Sequence, residues 1–388
     1  MNDYIRLKKG KDKPIRNHHH WIFSGAVEEP CDRASGDIVA VLSSGGEQLG
    51  HAYVNARSSI YGRMISFGGE DPRDAVRRNV LSAIELRTAL IKEGTNAYRI
   101  VNGEGDHLPG LIVDKYDDVY IMQIGTLGME KLKEFVCSLL SERSRPRSII
   151  EHSLIPSRKD EGLKPYHGVL CGDNVADVYI NENGLKFHVD LTHGQKTGFF
   201  LDQRHMRELV RTLSAGRRCL NLFSYTGAFS VYALAGGALH AVSIDSAETA
   251  IDMAQENSRL NGYTDEQHKG FCNDVFDFIR SNPIDQDLVI IDPPAFAKGR
   301  KDIVKACRGY KDINRIVIEK VPPRSLVVSC SCSYYIDATL FQTVIFQAAC
   351  EAQRRVKIVQ RHHLAYDHPI NVYHPESDYL KSLVLYVE

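Results

Sequence analysis

The first part of the chain, residues 1–70, has short apolar runs separated by glycine turns. The stretches "GDIVAVLSSGGEQLGHAYVN" and "SSIYGRMISF" are typical of short β-strands. Strands of this length, joined by turns, predict a small β-barrel. Apolar residues then recur at nearly helical spacing in "PRDAVRRNVLSAIELRTALIKEG", which predicts a helix over about 72–94.

The middle of the chain mixes both kinds of pattern. "YRIVNGEGDHLPGLIVDKYDDVYIMQIG" predicts strands joined by a turn at "KYDD", and "MEKLKEFVCSLLSE" has the spacing of an amphipathic helix. A further strand is expected after this helix. We therefore predict a small central α+β domain over 71–176.

From residue 177 to 388 the pattern changes to continuous apolar runs. "RCLNLFS", "AVSID", "DLVIID" and "SLVVSC" have helical stretches between most of them. Continuous runs are typical of parallel strands that are buried on both faces of a sheet. We predict an α/β domain with a doubly wound, Rossmann-like sheet, in which ligands bind at the carboxyl ends of the strands.

Composition narrows the class of protein. The 388 residues include 43% hydrophobic and 25% charged residues, enough for two or three packed domains. No run of 18 apolar residues is present and the first residues lack an apolar signal segment, so we expect a cytoplasmic protein without a membrane span. The net charge of −1 does not favour bulk binding of a polyanion, but basic residues cluster in 1–16 and 298–315. Such clusters contact phosphates in some proteins and are merely solvated in others.

Chemically useful residues follow the predicted strands. In "NLFSYTGAF" a turn at Gly227 precedes a helix, so backbone N–H groups would face an anion. Asp245 ends the second strand, where a carboxylate can accept both hydroxyls of a ribose. Asp274 follows the third strand and could accept from an adenine amino group, and Asp292 opens "DPPAF" after the fourth.

Each of these residues alone could be a strand-end cap, but the ordered set points to S-adenosylmethionine. A nicotinamide dinucleotide site would instead show three spaced glycines and no D-P-P sequence. From these segments the predicted cofactor-binding residues are Phe223, Ser224, Tyr225, Gly227, Asp245, Ser246, Asp274, Val275 and Asp292.

The nine cysteines are scattered, without C-x-x-C spacing, and we expect most of them to be reduced core residues rather than zinc ligands. "HHH" at 18–20 does not predict a metal site, because adjacent side chains diverge and no second ligand cluster lies nearby in the sequence. No metal is therefore expected.

"SCSCSYY" contains two cysteines, Cys330 and Cys332, on one side of an extended strand. Their Cα atoms would be about 7 Å apart, at or beyond the limit for a disulfide. Cys330 is nearer the apolar run and is expected in the core. Cys332 is the better candidate nucleophile, since it lies at the rim beside Asp292, although a cysteine outside any disulfide is often simply buried.

A thiolate that adds to carbon 6 of a pyrimidine makes carbon 5 nucleophilic enough to accept a methyl group. An acid near ring nitrogen 3, which Asp292 could provide, would stabilise the charge that develops on cytosine. Cys332 and Asp292 are thus the predicted catalytic residues.

Several blocks carry a resemblance to a known family. "HGQKTGFFLDQR", "NLFSYTGAFSV", "IDPPAF", "ACRGYKDIN" and "SCS…LFQ", in this order, resemble the PUA-domain-bearing large-subunit ribosomal RNA cytosine methyltransferases, and "HHHWIFSGAV" is similar to that family's N-terminal block. The resemblance spans nearly the whole chain. It implies a PUA barrel, a central domain and a class I methyltransferase domain that produces 5-methylcytosine in 23S ribosomal RNA.

The resemblance also implies site residues. It places the nucleophile at Cys332 rather than Cys330, and it places Lys196, Asp202, Gln203 and Arg204 on the cofactor or target-base side. Two departures are present: Trp21 follows a histidine where the family has proline, and "DPPAF" has no second cysteine, so the base that removes the carbon 5 proton is unassigned.

The expected partner is large-subunit ribosomal RNA, whose target base must be unstacked to reach the pocket. A homodimer through an edge strand of the central domain is a further prediction, with no residue assigned. The predicted RNA-binding residues are Lys8, Lys9, Lys298, Arg300, Lys301 and Arg308.

Two other functions remain open. D-P-P followed by an aromatic residue also occurs in enzymes that methylate exocyclic amines, which would make Phe296 important and Cys332 dispensable. A non-catalytic RNA-binding or ribosome-assembly factor that keeps the cofactor fold is the second alternative, since fold alone does not establish activity.

Overall fold

The computed structural model describes residues 3–192, 194, 197–297 and 299–388. The chain divides into two compact units. The first unit comprises Met1–Ile180, Val189–Leu201 and Tyr366–Ser377, and the second comprises Asn181–His188, Asp202–Ala365 and Asp378–Glu388. The three domain ranges predicted from the sequence stay a prediction.

The first unit opens with a six-stranded sheet and one short helix. The strands are β1 (Tyr4–Leu7), β2 (Trp21–Phe23), β3 (Val27–Glu29), β4 (Ile38–Leu42), β5 (Gln48–Val54) and β6 (Ile60–Phe67), and α1 is Lys13–Arg16. Their order is β2-β6-β5-β4-β1-β3, with β1 and β4 parallel. Val39 and Val41 alternate with more exposed neighbours on β4, as expected for a strand with one buried face.

The first unit also contains a five-stranded sheet with two helices. The elements are α2 (Pro72–Leu90), β7 (Ala97–Asn102), β8 (Leu111–Tyr116), β9 (Val119–Ile124), α3 (Leu127–Ser144), β10 (Ser148–Ser153) and β11 (Tyr166–Gly172), and the strand order is β11-β10-β9-β8-β7. The predicted first helix is confirmed. It begins at Pro72 because the Asp71 side chain accepts from the N–H groups of Arg73 and Asp74.

A two-stranded hairpin follows, formed by β12 (Asp177–Glu182) and β13 (Leu185–Asp190). Within this hairpin the chain passes from the first unit into the second and back.

The second unit is built on a seven-stranded sheet with helices between the strands. The elements are α4 (Arg204–Leu213), β14 (Arg218–Leu222), α5 (Ala228–Ala235), β15 (His240–Asp245), α6 (Glu248–Leu260), β16 (His268–Cys272), α7 (Val275–Ser281), β17 (Leu288–Ile291), α8 (Ile303–Lys320), β18 (Ser325–Ser331), α9 (Ala338–Glu351), β19 (Val356–His362) and β20 (Lys381–Val387). The order is β16-β15-β14-β17-β18-β20-β19, and β20 is antiparallel to both of its neighbours. The predicted doubly wound sheet is confirmed.

Burial on both faces explains the continuous apolar runs. In β17, Val289 and Ile291 belong to one buried cluster, whereas Leu288 and Ile290 belong to the cluster on the other face. All four side chains are fully buried. Burying each such side chain contributes about 1.5–3 kcal/mol to the stability of the fold. The central strands therefore give a stable position to the segments that follow their carboxyl ends.

All nine cysteines lie outside disulfides, and only Cys219 and Cys330 are buried. Cys31, Cys137 and Cys307 are partly buried and pack against hydrophobic clusters, so five of the nine cysteines contact a core, as expected. Cys171, Cys272 and Cys350 are exposed. Among the described residues, no helix combines the length and apolarity that crossing a bilayer requires.

Candidate active site

The carboxyl ends of the central strands meet at one edge of the second unit's sheet. Leu222 of β14 pairs with Ile291 of β17, and Ile291 pairs in turn with Ser329 of β18. The segments that follow these residues are the "FSYTG" turn, "DPPAF" and the Cys332 turn. The structure thus brings the predicted cofactor turn and the predicted catalytic segments to neighbouring positions.

The turn after β14 has an unusual backbone. Phe223, Tyr225 and Gly227 all have positive φ, at 58°, 46° and 75°. At Gly227 a Cβ atom would lie only 2.6 Å from Cβ of Ala254, so the close approach to α6 requires glycine. This packing fixes the turn immediately before the first N–H groups of α5.

Asp245 is held against this turn. Its Oδ2 accepts from the N–H of Tyr225 at 2.9 Å, and its Oδ1 accepts from the N–H of Ala247 at 3.1 Å. Each carboxylate oxygen has two acceptor sites, so both can accept another hydrogen bond, as a ribose would require. Ser246 follows as an exposed residue.

Asp274 and Val275 lie at the start of α7. The Oδ1 of Asp274 accepts from the N–H of Asp277 at 3.0 Å, so the helix-cap role that the sequence left open is present. Val275 is buried, whereas Asp274 is exposed. The N–H of Asn273 donates to the Asp245 carbonyl at 2.8 Å, which places the Asp274 loop directly beside the second strand end.

Asp292 is half-buried at the end of β17. The Nε2 of Gln203 donates to its Oδ2 at 3.0 Å. Gln203 itself is buried beside Asp202, whose Oδ2 accepts from the Tyr379 hydroxyl at 2.7 Å. The "LDQ" block therefore orients the aspartate of "DPPAF" in this structure.

The two neighbouring cysteines differ as expected. Cys330 is fully buried within β18, and burial holds the pKa of its thiol well above the usual value. Cys332 lies just past the strand and is partly exposed, and its Sγ donates to the carbonyl of Pro293 at 3.8 Å. The predicted core position of Cys330 is confirmed, and Cys332 lies beside the "DPP" segment.

The turn that carries Cys332 is fixed by the buried Ser333. The Oγ of Ser333 lies 2.9 Å from the Tyr310 hydroxyl and accepts from the N–H of Ala297 at 3.3 Å. Because Ala297 follows "DPPAF", these bonds connect the turn to that segment. Sequence reasoning missed Ser333, although Tyr310 belongs to the quoted block "ACRGYKDIN".

Phe296 packs inward. Its ring centroid lies 4.6 Å from that of Tyr310 on α8 and 6.3 Å from that of Phe276. A ring held between two other rings has less freedom to stack on a target base.

The basic residues of the second unit lie next to "DPPAF". Arg300 and Lys301 form a short helical turn before α8, Arg308 lies on α8, and all three are exposed. None of them pairs with a carboxylate in the described part of the chain. In the first unit, Lys8 and Lys9 are exposed, and Lys8 donates to the Gly25 carbonyl. Lys196 and Lys298 lie outside the described residues.

The three adjacent histidines do have possible metal ligands near them in the fold, contrary to the expectation from the sequence. His19 lies near His374 and Glu376, which are distant in sequence and of the kind that could hold a metal. However, the N–H of Trp21 donates to Nδ1 of His19, so the neutral ring carries its proton on Nε2, which donates to Glu376 Oε1 at 3.3 Å. A histidine that binds a metal through one ring nitrogen usually donates a hydrogen bond through the other. Nδ1 of His19 accepts a hydrogen bond instead, so this arrangement does not favour His19 as a metal ligand.

Residues 159–369 match the family of S-adenosylmethionine-dependent methyltransferases, and residues 5–67 match a PUA-like domain. The chain belongs to the S-adenosylmethionine-dependent methyltransferases. This methyltransferase is 38% identical over 396 residues to Ribosomal RNA large subunit methyltransferase I of Aeromonas salmonicida, with 99% of each chain covered. It is also 38% identical over 389 residues to the protein of that name from Aliivibrio fischeri, with 98% of each covered.

Solved structures of methyltransferases share the fold. One, complexed with SAH, has a TM-score of 0.86 and 24% identity and covers 99% of this chain and 100% of its own. Another, from Streptococcus mutans, has a TM-score of 0.84 and 23% identity, with the same coverage. The predicted fold class, a PUA-like domain followed by a methyltransferase domain, is confirmed, and so is the predicted cofactor, S-adenosylmethionine.

The turn after β14 fits this cofactor. The Ser224 hydroxyl is buried and has no hydrogen-bond partner among the described residues. A buried polar atom of this kind is normally satisfied, so it favours a polar ligand at the turn. Together with the N–H groups before α5 it suits a carboxylate, and Asp245 beside it suits hydroxyl donors.

Proposed function

We propose that this methyltransferase transfers a methyl group to carbon 5 of a cytosine in large-subunit ribosomal RNA, through a covalent adduct on Cys332. The observation that carries the proposal is the position of Cys332, partly exposed just past β18 and beside the Pro293 carbonyl of the "DPP" segment. The substrate class is taken from the printed name of the relatives that are 38% identical along nearly the whole chain.

In this mechanism the cofactor supplies an electrophilic methyl group. The Cys332 thiolate adds to carbon 6 of the cytosine and raises the electron density at carbon 5. Asp292, oriented by Gln203, faces the ring nitrogen and stabilises the charge that develops there. After methylation, loss of the carbon 5 proton restores the ring and releases the thiolate. The base for that proton is unassigned.

For the cofactor, we propose that the turn from Phe223 to Gly227 receives the carboxylate and that Asp245 receives the ribose. Ser246, Asp274 and Val275 border the adenine in this arrangement. Asp292 and Gln203 complete the site, and Lys196 keeps its proposed cofactor role from the sequence.

For RNA, we propose that Arg300, Lys301 and Arg308 hold phosphates beside the active site, with Lys298 as a fourth contact from the sequence. Lys8 and Lys9 of the PUA-like domain are a second contact. The first three side chains form no ion pair within the described part of the chain, which supports this role, since a cation already held by a carboxylate contacts phosphate less readily.

The alternative of an exocyclic amine as acceptor has less support. It needs the Phe296 ring to stack on the target base, and this ring instead packs against Tyr310 at 4.6 Å. The non-catalytic alternative is disfavoured by the methyltransferase names of the relatives.

The deciding experiment is methylation of large-subunit ribosomal RNA with labelled cofactor, followed by nucleoside analysis. Wild type, Cys332→Ala and Cys330→Ala are compared. We expect 5-methylcytosine from wild type and from Cys330→Ala and none from Cys332→Ala. Without the thiolate adduct, carbon 5 of cytosine is too weak a nucleophile to accept the methyl group. Label on an exocyclic amine, formed equally well by both variants, would refute the covalent mechanism.

A further inference from the structure

Lys381 lies at the rim that carries Cys332. It is the first residue of β20, and because β20 runs antiparallel to β18, its first residue is paired with Ser331, at the carboxyl end of β18. Cys332 is the next residue after Ser331. The lysine and the cysteine therefore come from strands distant in sequence to the same corner of the sheet.

The Lys381 side chain is buried, with 6% exposure, and is tightly held. Its Nζ donates to the carbonyl of Ser333 and to the carbonyl of Tyr379, both at 2.7 Å. No carboxylate forms an ion pair with it in the part of the chain that the structure describes. A buried lysine without a carboxylate partner is costly to keep in a purely structural role.

Three titratable groups influence the charge of Lys381. Burial lowers the pKa of Lys381 to about 8, and the opposing electrostatic effects that raise it come from Cys332 first and then from the carboxylates of Asp378 and Asp337. Electrostatic interaction is mutual, so an ammonium at this position favours the thiolate form of Cys332.

We propose that Lys381 is a positioning residue for Cys332, whose ammonium fixes the turn after β18 and favours the reactive thiolate. The proposal rests on the proposed nucleophilic role of Cys332. It extends that function by naming the group that prepares the nucleophile.

The turn is held from two directions. Tyr310 and the N–H of Ala297 bond the side chain of Ser333, and Lys381 bonds its backbone carbonyl. Cys332 is the residue before Ser333, so these bonds hold the turn that carries the thiol. Since Lys381 loses its charge as the pH rises through about 8, its effect on Cys332 is largest below that pH.

The test is the pH dependence of alkylation by iodoacetamide, in which the thiolate displaces iodide. Peptide mass spectrometry follows Cys332 from pH 6 to 9.5 in wild type, Lys381→Gln and Lys381→Arg. Both variants keep hydrogen-bond donors, and only arginine keeps the charge. We expect Lys381→Gln to slow alkylation of Cys332 about tenfold at pH 7, which corresponds to a rise of about one unit in the pKa of the thiol. The alkylation rate of Lys381→Arg should stay near that of wild type. The exposed Cys350 is the internal control and should not change.

Superimposable Cys332 profiles in wild type and Lys381→Gln would overturn the proposal. The wild-type protein gives a second test that does not depend on the folding of Lys381→Gln. If alkylation of Cys332 in wild type had an apparent pKa equal to or above that of Cys350, the proposal would be overturned. The readout needs no RNA. The two proposals can therefore fail separately. If Lys381→Gln shifted the alkylation profile of Cys332 but Cys332→Ala still methylated RNA, the nucleophilic role of Cys332 would be rejected and the interaction between Lys381 and the thiol would be retained.

Discussion

At the scale of single residues, Gly227 has the most restricted position in the candidate cofactor site. A side chain there meets Ala254 and must also adopt a φ of 75°. Gly262, just past α6, has a φ of 82°, but a Cβ added there would meet nothing within 4 Å. An alanine at either position would adopt an unfavourable positive φ, but only an alanine at Gly227 would also collide with a neighbour.

We predict that Gly227→Ala weakens S-adenosylmethionine binding by at least about tenfold, a loss of about 1.4 kcal/mol. The reason is that the added methyl group pushes the turn away from α6 and misplaces its N–H groups. Isothermal titration calorimetry measures the binding, and thermal unfolding reports the stability.

Gly262→Ala is the matched control. It carries a left-handed strain of about 1–2 kcal/mol but no contact, so cofactor binding should be unchanged. Equal binding by the two variants would mean that the turn does not form the cofactor site.

Some site residues could be found from the sequence and others could not. Asp245 and Cys332 are predictable because each directly follows a recognisable apolar run. Lys381 is not, since a lysine at the start of "KSLVLYV" suggests a solvated strand end, and its burial depends on the antiparallel pairing of β20 with β18. The neighbours of His19, which are His374 and Glu376, are separated from it by most of the chain and only folding brings them together.

At the scale of elements, the central strands β14, β15, β17 and β18 were predictable because burial on both faces demands continuous apolar sequence. The edge strands are different. β16 reads "HKGFC" and β19 reads "VKIVQRH", and most of their side chains are partly or fully exposed. A strand with a solvated face gives a weaker hydrophobic signal, and β19 also contains an irregularity in its pairing.

The start of α8 gives a prediction at this scale. Changing Arg300 and Lys301 together to Ala should lower the dependence of RNA binding on salt, since each phosphate contact to a single strand adds about 0.7 to the slope of log K against log salt concentration. The expected decrease is therefore about 1.4. Filter binding of ribosomal RNA fragments across a salt series measures it.

Arg259→Ala is the control for this experiment. Arg259 is an exposed cation of the same unit, but it already pairs with Asp265 at 2.8 Å, so its removal should leave the slope unchanged. A slope equal to that of wild type in the double variant would remove this turn from the RNA-binding surface.

At the scale of the whole molecule, buried histidines make stability depend on pH. Burial lowers the pKa of His268 from 6.5 to about 4, and its Nε2 lies 2.8 Å from the Ser243 hydroxyl. His20, His107 and His362 also have pKa values lowered, chiefly by burial. All of these groups bind protons more readily in the unfolded chain than in the folded one.

We predict that the free energy of unfolding is retained above pH 6.5 and falls as the pH drops from 6.5 towards 4. The sign follows because the unfolded state takes up the protons in this window, and His268 alone accounts for up to about 3 kcal/mol. Urea unfolding at a series of pH values measures the effect. In His268→Gln the decrease should be smaller, and an identical decrease in wild type and variant would contradict the assignment.

Two expectations about the whole molecule stay predictions. A homodimer would use an edge strand of the five-stranded sheet, where β11 is an outermost strand. The cytoplasmic location is likewise an expectation from the sequence.

The path of the chain has a consequence for biosynthesis. The first unit is completed only by Tyr366–Ser377, which the ribosome makes after Asp202–Ala365 of the second unit. Until then, the guanidinium of Arg87, which already pairs with Asp106, lacks one acceptor, the Asp367 carbonyl. The N–H of Arg99 lacks the Asp367 carboxylate to which it donates. The N-terminal unit therefore cannot reach its final state until most of the second unit has been synthesised.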